Sequence, residues 1–259
     1  MSIERLRKIM VALRDPVHGC PWDREQTWSS IAPHTLEEAF ELADAIEQGD
    51  AAKVRDELGD LLFQVVFQAR IAEEQGLFGF DAVAATISDK LERRHPHVFG
   101  AVSVRTADEQ TIAWEVHKAA EREAAGLGRG VLDGVTLGLP ALTRAAKLGK
   151  RAAGVGFDWT AAADVVDKLD EELDELRRAL ADRDESKASE ELGDLLFTIA
   201  QLGRHLGADA EGALRAANAK FERRFRHIEA ALAARGRTPQ QTSPAELETL
   251  WAQAKQEIG

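Results

Sequence analysis

The chain contains no tyrosine, only seven prolines, and a single cysteine, Cys20. Segments rich in Val, Ile, Thr and aromatic residues, which favour strands, are hard to find in it. This composition predicts an all-α protein. A single cysteine excludes an internal disulfide, so we expect a reducing compartment, the cytoplasm.

Long apolar runs are also missing from the sequence. No segment approaches the roughly 20 apolar residues that a membrane-spanning helix needs. The N-terminal segment 1–15 is charged and amphipathic, and it lacks the apolar core of a signal peptide. We therefore expect a cytoplasmic protein with no membrane partner.

An excess of positive charge is absent as well. Lys and Arg number 33 against 45 Asp and Glu, which gives a net charge of -12. Phosphate backbones require basic surfaces, so this balance argues against a nucleic-acid partner. It does not exclude a small anionic ligand, because acidic residues can bind phosphates through metal ions.

The sequence contains an internal repeat. Segment 36–62 aligns with segment 170–196 without a gap, and both include the start of an ELGDLLF string. Further on, KLERR at 90–94 matches KFERR at 220–224, and WEVHK at 114–118 matches WAQAK at 251–255. Matched blocks in the same order indicate two homologous modules. We place them at 1–120 and 140–259, joined by a Gly-rich linker at 121–139.

The first repeat block predicts two helices. Thr35 followed by Glu38 resembles a capping box, and Gly49 is a typical helix end. Apolar residues recur at helical spacing up to Gly49 and again from about Ala52 to about Glu74. The second module repeats this pattern, so each module contains an antiparallel αα-hairpin.

Each hairpin carries four acidic residues in two pairs spaced three apart, and such pairs share one helix face. The pairs are Glu38 and Glu41 with Glu57 and Asp60, and Glu172 and Glu175 with Glu191 and Asp194. Four converging carboxylates repel one another unless a cation neutralises them. Oxygen ligands favour Mg²⁺, with Mn²⁺ as a substitute, and Mg²⁺ usually shares its coordination with substrate phosphates. One such pair alone is usually a solvated face, but the repeat favours a metal site.

Two glycines interrupt these helices. Gly59 and Gly193 lie in helix interiors, where glycine costs about 1 kcal/mol relative to alanine. We therefore expect something to approach the backbone closely at both positions.

A basic set follows each acidic pattern. Lys220, Arg223 and Arg224 share one helix, and Lys90, Arg93 and Arg94 match them. They could pair with neighbouring acids such as Glu222 or Glu229, or they could bind phosphate, for which arginine is well shaped. Trp251 and Lys255 could stack on a base and contact a phosphate, although Trp251 could equally be a core residue.

These motifs resemble the MazG family of nucleoside triphosphate pyrophosphohydrolases over nearly the whole chain. The signature EExxE followed by ExxD occurs at 37–41 with 57–60, and at 171–175 with 191–194. The strings GCPWDREQT, VLDGV and VGFDW are also typical of two-module members. The resemblance implies an all-α fold shared with dimeric dUTPases and phosphoribosyl-ATP pyrophosphohydrolase. It also implies a homodimer that completes the helical bundle.

The resemblance further implies the reaction, which converts a nucleoside triphosphate and water to a nucleoside monophosphate and pyrophosphate. Glu172, Glu175, Glu191 and Asp194 would hold Mg²⁺, and Glu171 or Glu190 would support a second ion or accept the proton of the attacking water. The implied substrate-binding residues are Lys168, Lys187, Glu190, Lys220, Arg223, Arg224, Trp251 and Lys255.

Both modules keep every acidic position of the signature. Neither module can therefore be identified as inactive from missing metal ligands. We expect the second module to be the main catalytic one and the first to be a secondary site or a dimer platform. Two other interpretations stay open. One is an enzyme for a single nucleotide, such as a dUTPase, and the other is a non-enzymatic helical scaffold that binds nucleotides.

Overall fold

The structure is a computed structural model that describes residues 3–100, residue 106 and residues 130–258. Within these ranges the regular structure is entirely helical, so the predicted fold class is confirmed. The chain divides into two compact units, 1–118 and 119–259. The linker at 121–139 stays a prediction, because 121–129 lie outside the described residues, as does the block at 114–118.

The first unit consists of a long helical hairpin flanked by shorter helices. The described helices are α1 (Ile3–Leu13), α2 (Pro21–Glu25), α3 (Trp28–Gln48), α4 (Ala51–Glu74), α5 (Phe80–Arg94) and α6 (Pro96–Phe99). Helices α3 and α4 pack along their length, while α1 and α5 pack on α4. The predicted hairpin is thus present, and α4 matches the expected helix.

The start of α3 differs from the prediction, which placed a capping box at Thr35. The helix begins eight residues earlier, where the Thr27 hydroxyl accepts from Ser30 N and the Ser30 hydroxyl accepts from Thr27 N. Thr35 lies inside the helix, and its hydroxyl donates to the Ile31 carbonyl. Gly49 ends the helix with φ of 69°, as expected of a left-handed cap.

The second unit repeats the hairpin and extends it with a second helix pair. Its helices are α7 (Ala141–Ala153), α8 (Ala162–Asp182), α9 (Glu185–His205), α10 (Ala210–Ala233) and α11 (Pro244–Ile258), with a 3₁₀ turn at Pro239–Gln241. Helices α8 and α9 form the hairpin, α7 and α10 pack against α9, and α11 packs on α10.

Each unit has its own apolar core. In the first unit, Met10 on α1 and Ile31 on α3 pack against Val66, Phe67 and Ile71 on α4. The core of the second unit has two parts. Leu142 and Ala145 pack on Ala200, and Ile228 and Leu232 of α10 pack on Leu250 and Ala254 of α11.

The hairpin helices also carry apolar side chains that neither core covers. Those that remain substantially exposed are Leu36, Phe40, Ile46, Leu58, Leu62 and Val65 in the first unit, and Val166, Leu180, Leu192, Leu196, Phe197 and Ile199 in the second. Each hairpin therefore has exposed apolar side chains in addition to those that face the core of its unit. No described helix combines the length and the hydropathy that crossing a bilayer would require.

Candidate metal and nucleotide site

Each hairpin brings three glutamates together. Glu38 and Glu41 on α3 meet Glu57 on α4, and each offers an oxygen within 4.8 Å of the others. Glu172 and Glu175 on α8 meet Glu191 on α9 in the same way. We call these groups the first and second clusters. The spacing of three residues puts each helical pair on one face, and the antiparallel partner helix supplies the third carboxylate.

The fourth predicted acid of each set, Asp60 or Asp194, is not part of its cluster. Both side chains are exposed. Asp60 lies close enough for its charge to raise the pKa of Glu38 and of Glu57. An aspartate is one methylene shorter than a glutamate, so it reaches less far from the same helix face. Ligation by Asp60 and Asp194 stays a prediction.

The first cluster is crowded with negative charge. Burial raises the pKa of Glu38, and the charges of Asp60, Glu41 and Glu57 raise it further. A hydrogen bond from Gln64 acts in the opposite direction. Gln64 is buried, and its Oε1 has no hydrogen-bond partner among the described residues. The acidic motif does not point to Gln64, because Gln64 is a neutral residue one turn beyond it.

The second cluster is more deeply buried. Glu172 is 5% exposed and Glu191 is 6% exposed, whereas the three first-cluster glutamates are all intermediate or exposed. Burial raises the pKa of Glu191, and the charge of Glu175 adds to this, while Lys187 acts against it. Charges in such an environment interact more strongly than at the surface, so this cluster has the greater need of a cation.

Lys168 supplies part of that positive charge. Its Nζ lies 2.8 Å from Glu172 Oε1 and 3.0 Å from Glu171 Oε1. These hydrogen bonds, first to Glu172 and then to Glu171, raise the pKa of Lys168. The predicted substrate ligand is therefore already the counter-ion of a cluster glutamate. In the first unit the equivalent position is His34, whose Nδ1 lies 3.4 Å from Glu37 Oε2.

The predicted basic and aromatic set assembles between α10 and α11. The Arg224 guanidinium and the Lys255 ammonium each lie 5.8 Å from the centre of the Trp251 ring, with Phe221 at 5.1 Å. Trp251 packs against the core of these helices as well, which agrees with the core role, while stacking on a base stays a prediction. A partly buried aromatic ring with cations on it is a suitable platform for a nucleobase.

The alternative pairing of Lys220, Arg223 and Arg224 with Glu222 or Glu229 is not found among the described residues. Glu222 pairs instead with Arg226 at 2.9 Å. Within the described ranges, no ion pair joins Lys220, Arg223 or Arg224 to a carboxylate, including those of the second cluster. Lys187 acts on the cluster through its charge, and Glu190 adds a small unfavourable charge effect on Glu191.

The close approach predicted at Gly59 and Gly193 is not found. A Cβ atom added at either glycine would meet nothing within 4 Å in the described part of the chain. Both residues lie on the exposed side of their helices. Packing within one chain therefore does not explain why they are glycines.

The geometry defines an all-α protein with two acidic clusters, each of which offers the oxygen donors that hard divalent cations prefer. The model of the MazG nucleotide pyrophosphohydrolase domain matches this chain twice, at residues 26–99 and 161–229. These matches span the α3–α4 and α8–α9 hairpins with their clusters.

Full-length relatives agree with this match. A nucleoside triphosphate pyrophosphohydrolase of Escherichia coli K12 is 51% identical over 99% of this chain and 98% of its own length. A nucleoside triphosphate pyrophosphohydrolase/pyrophosphatase MazG of Thermotoga maritima is 40% identical over 97% of this chain and 95% of its own. The chain belongs to the MazG nucleotide pyrophosphohydrolase family and is an enzyme, as its sequence motifs predicted.

Proposed function

We propose that the enzyme hydrolyses nucleoside triphosphates to nucleoside monophosphates and pyrophosphate, with Mg²⁺ as the cofactor and Mn²⁺ as a substitute. The observation that carries this proposal is the buried second cluster, in which three glutamate oxygens lie within 4.8 Å of one another. Such a cluster is unfavourable without a cation, and a cation there would attract a phosphate chain. The names of the two full-length relatives support the same reaction.

Glu172, Glu175 and Glu191 would hold the metal, with Asp194 as a fourth ligand after a change of rotamer. Bound Mg²⁺ would polarise the α-phosphate and lower the pKa of the attacking water. Glu171 or Glu190, both exposed beside the cluster, would accept the proton of that water. The first cluster, with Glu38, Glu41, Glu57 and Asp60, would bind a metal in the same manner.

The basic residues would bind the phosphates. Lys168 would exchange its contact with Glu172 for one with a phosphate oxygen once a metal neutralises the glutamate. Lys187 is near enough to act on the charge of Glu191. Lys220, Arg223 and Arg224 are free of carboxylate partners in the described chain and would offset charge on the leaving pyrophosphate. Trp251 and Lys255 would contact the nucleotide.

The second unit is the proposed main catalytic one, with the first as a secondary site or dimer platform. The second cluster is more buried, and Lys168 lies beside it. Both features strengthen the electrostatic interactions of a bound metal and of bound phosphates. We propose broad base specificity and a cytoplasmic, nucleotide-pool role. A panel of NTPs and dNTPs tests specificity, and a preference above about a hundredfold for dUTP or another single nucleotide would contradict it.

Hydrolysis of ATP in ¹⁸O-water tests the reaction itself. We expect AMP and pyrophosphate as products, with the label in AMP if water attacks the α-phosphorus. Label in pyrophosphate would move the attack to the β-phosphorus and contradict the proposed role of the metal. Release of ADP and free phosphate would contradict the proposed reaction altogether.

We also expect a homodimer whose interface covers the exposed apolar faces of the hairpins. Large contiguous apolar faces are rare on monomeric proteins, and nothing lies within 4 Å of a Cβ added at Gly193, beside exposed Leu192, so a partner has room there. Leu192→Asp should shift the chain from dimer to monomer in light scattering. Leu137→Asp, at an exposed position outside the hairpin, is the matched control and should leave the mass unchanged. A wild-type monomer at micromolar concentration would contradict the dimer.

A further inference from the structure

The GCPWD segment of the first unit presents an aromatic ring that neither the core nor the second-unit site uses. Trp22, on α2, is 52% exposed. Its indole meets the imidazole of His34 edge-on, with ring centres 5.9 Å apart and an interplanar angle of 70°. About half of this large aromatic side chain is therefore open to a ligand that stacks on it.

The backbone that carries Trp22 is held firmly. The guanidinium of Arg14, a side chain only 6% exposed, donates to the carbonyls of Asp23 and Gln26. Glu74 holds Arg14 in turn, at 2.7 Å. The side-chain amide of Gln26 donates to the Trp22 carbonyl at 2.8 Å. The backbone at Trp22 is therefore fixed in part by a buried charge, which lowers the entropic cost of binding a ligand to this segment.

The ring lies on the side of α3 that carries the first cluster. His34 precedes Glu38 by one helical turn, which corresponds to about 6 Å along the axis. The spacings of four and seven residues place His34, Glu38 and Glu41 on one face. His34 Nδ1 also contacts Glu37 Oε2 at 3.4 Å. His34 thus continues the helix face that carries the carboxylates, and Trp22 packs against His34.

We propose that Trp22 and His34 form a nucleobase-stacking subsite for a nucleotide bound through metal at the first cluster. This inference rests on the proposed function, because it requires a metal ion on Glu38, Glu41 and Glu57. The exposed indole face stacks on the base, and the imidazole closes one edge of the subsite. Stacking on an aromatic face tolerates every base, so the subsite takes purine nucleotides and, more weakly, pyrimidine nucleotides.

In the second unit, the described residues do not repeat this aromatic pair. The position of His34 is occupied by Lys168, which is bound to Glu172. The tryptophan of its FDW segment, Trp159, meets His205 at the far end of α9 instead, with ring centres 6.4 Å apart. Its candidate stacking residue is Trp251, from α11. The two copies therefore have the same acids but recruit the base platform from different elements.

Binding to the full-length chain tests the inference. The parent carries Glu172→Gln and Glu191→Gln, which disable the second cluster. Calorimetry measures the affinity for α,β-methylene-ATP with Mg²⁺, and for inorganic tripolyphosphate with Mg²⁺, which has phosphates and no base. Trp22→Leu should weaken methylene-ATP binding about tenfold and leave tripolyphosphate binding unchanged. Trp22→Phe should stay within about threefold of the parent, because it keeps an aromatic face.

Trp28→Phe is the matched control, since Trp28 is a partly exposed tryptophan of the same unit that stacks on Phe78 instead. It should bind methylene-ATP as the parent does. Equal affinity of the Trp22→Leu variant and the parent overturns the subsite. Equal weakening of both ligands, or a change in molecular mass by light scattering, also overturns it, because these identify a structural or interface role. Mn²⁺ titration of the parent separates the two proposals: if no Mn²⁺ binds at the first cluster, the proposed metal site itself fails.

Discussion

The two clusters have the same three glutamates at equivalent positions and yet occupy different environments. The first is flanked by Asp60 and by the neutral side chain of Gln64, and its glutamates are partly exposed. The second is buried at Glu172 and Glu191 and includes the ammonium of Lys168. Equal ligand sets therefore do not imply equal sites, because burial and neighbouring charge set how strongly each cluster holds a cation and a phosphate.

The largest expected effect comes from removing one ligand in each copy. Glu172→Gln should reduce ATP hydrolysis by on the order of 10² or more, because a buried cluster with two carboxylates binds Mg²⁺ poorly. Glu38→Gln should change the rate by less than about threefold if the second unit is the main site. Steady-state assays over a Mg²⁺ series measure both. The reverse order of effects would assign catalysis to the first unit.

A smaller effect should follow when the counter-ion of Glu172 is removed. Lys168→Met leaves a buried glutamate beside two like charges, so the metal-free protein should lose about 1–2 kcal/mol of stability. Added Mg²⁺ should then raise its melting temperature by more than it raises that of the wild type, since the metal takes over the role of the ammonium. Lys187→Met is the control, because Lys187 is exposed and acts on Glu191 only through its charge. A wild-type metal response in Lys168→Met would contradict this role.

Acid stability of the second unit should depend on Asp158, which pairs with Arg204 and His205 at the end of α9. Hydrogen bonds from Arg204 lower the pKa of Asp158 to about 2, and His205 contributes as well. A carboxyl group whose pKa is lowered by folding stabilises the folded state at pH values above its ordinary pKa. This stabilisation is lost as the pH falls towards the lowered pKa. Asp158→Asn should thus cost about 1 kcal/mol at pH 7 and only a small fraction of that near pH 2. Urea unfolding of the wild type and the variant at both pH values measures this cost. An equal difference in the free energy of unfolding at both pH values would contradict the stabilising role of the ionised Asp158.

The smallest expected effect concerns the hairpin turns. Gly49 after α3 and Arg183 after α8 occupy equivalent left-handed positions, with φ of 69° and 57°. Arginine is strained in that region, whereas glycine is not. Arg183→Gly should therefore stabilise the second unit by about 0.5–1 kcal/mol, although glycine also gains entropy in the unfolded chain. Gly49→Ala should destabilise the first unit by a similar amount. Chemical unfolding that shows no gain for Arg183→Gly would contradict this account.

Local pattern was enough to predict the hairpins. A 3.6-residue apolar period and a cap at Gly49 depend on neighbouring residues alone, so α4 and the end of α3 matched the expectation. The start of α3 did not match, because Thr27 and Ser30 provide a stronger reciprocal cap than Thr35. The hairpin helices also carry apolar side chains beyond those buried in the core of their unit. The sequence alone does not show which of these side chains the rest of the chain covers.

The candidate site was also predicted only in part from the sequence. The glutamate triads follow from residue spacing on two antiparallel helices, and the repeat identified them. Gln64 and His34 carry no motif of their own, and the GCPWDREQT string that contains Trp22 does not state a role for it, since such roles depend on which elements lie beside the cluster. Lys168 was expected on substrate, yet folding places it on Glu172 because the two share a helix face one turn apart.

The sequence by itself determined that this is an all-α enzyme of the MazG family with two equivalent sets of acidic residues, because periodicity, spacing and repeat are properties of the chain. Only the tertiary structure decided how deeply each set is buried and which side chains neutralise or border it. Burial depends on elements far apart in the chain, such as α1 packed on α4 and Arg14 paired with Glu74 in the first unit, and these contacts exist only once the chain has folded.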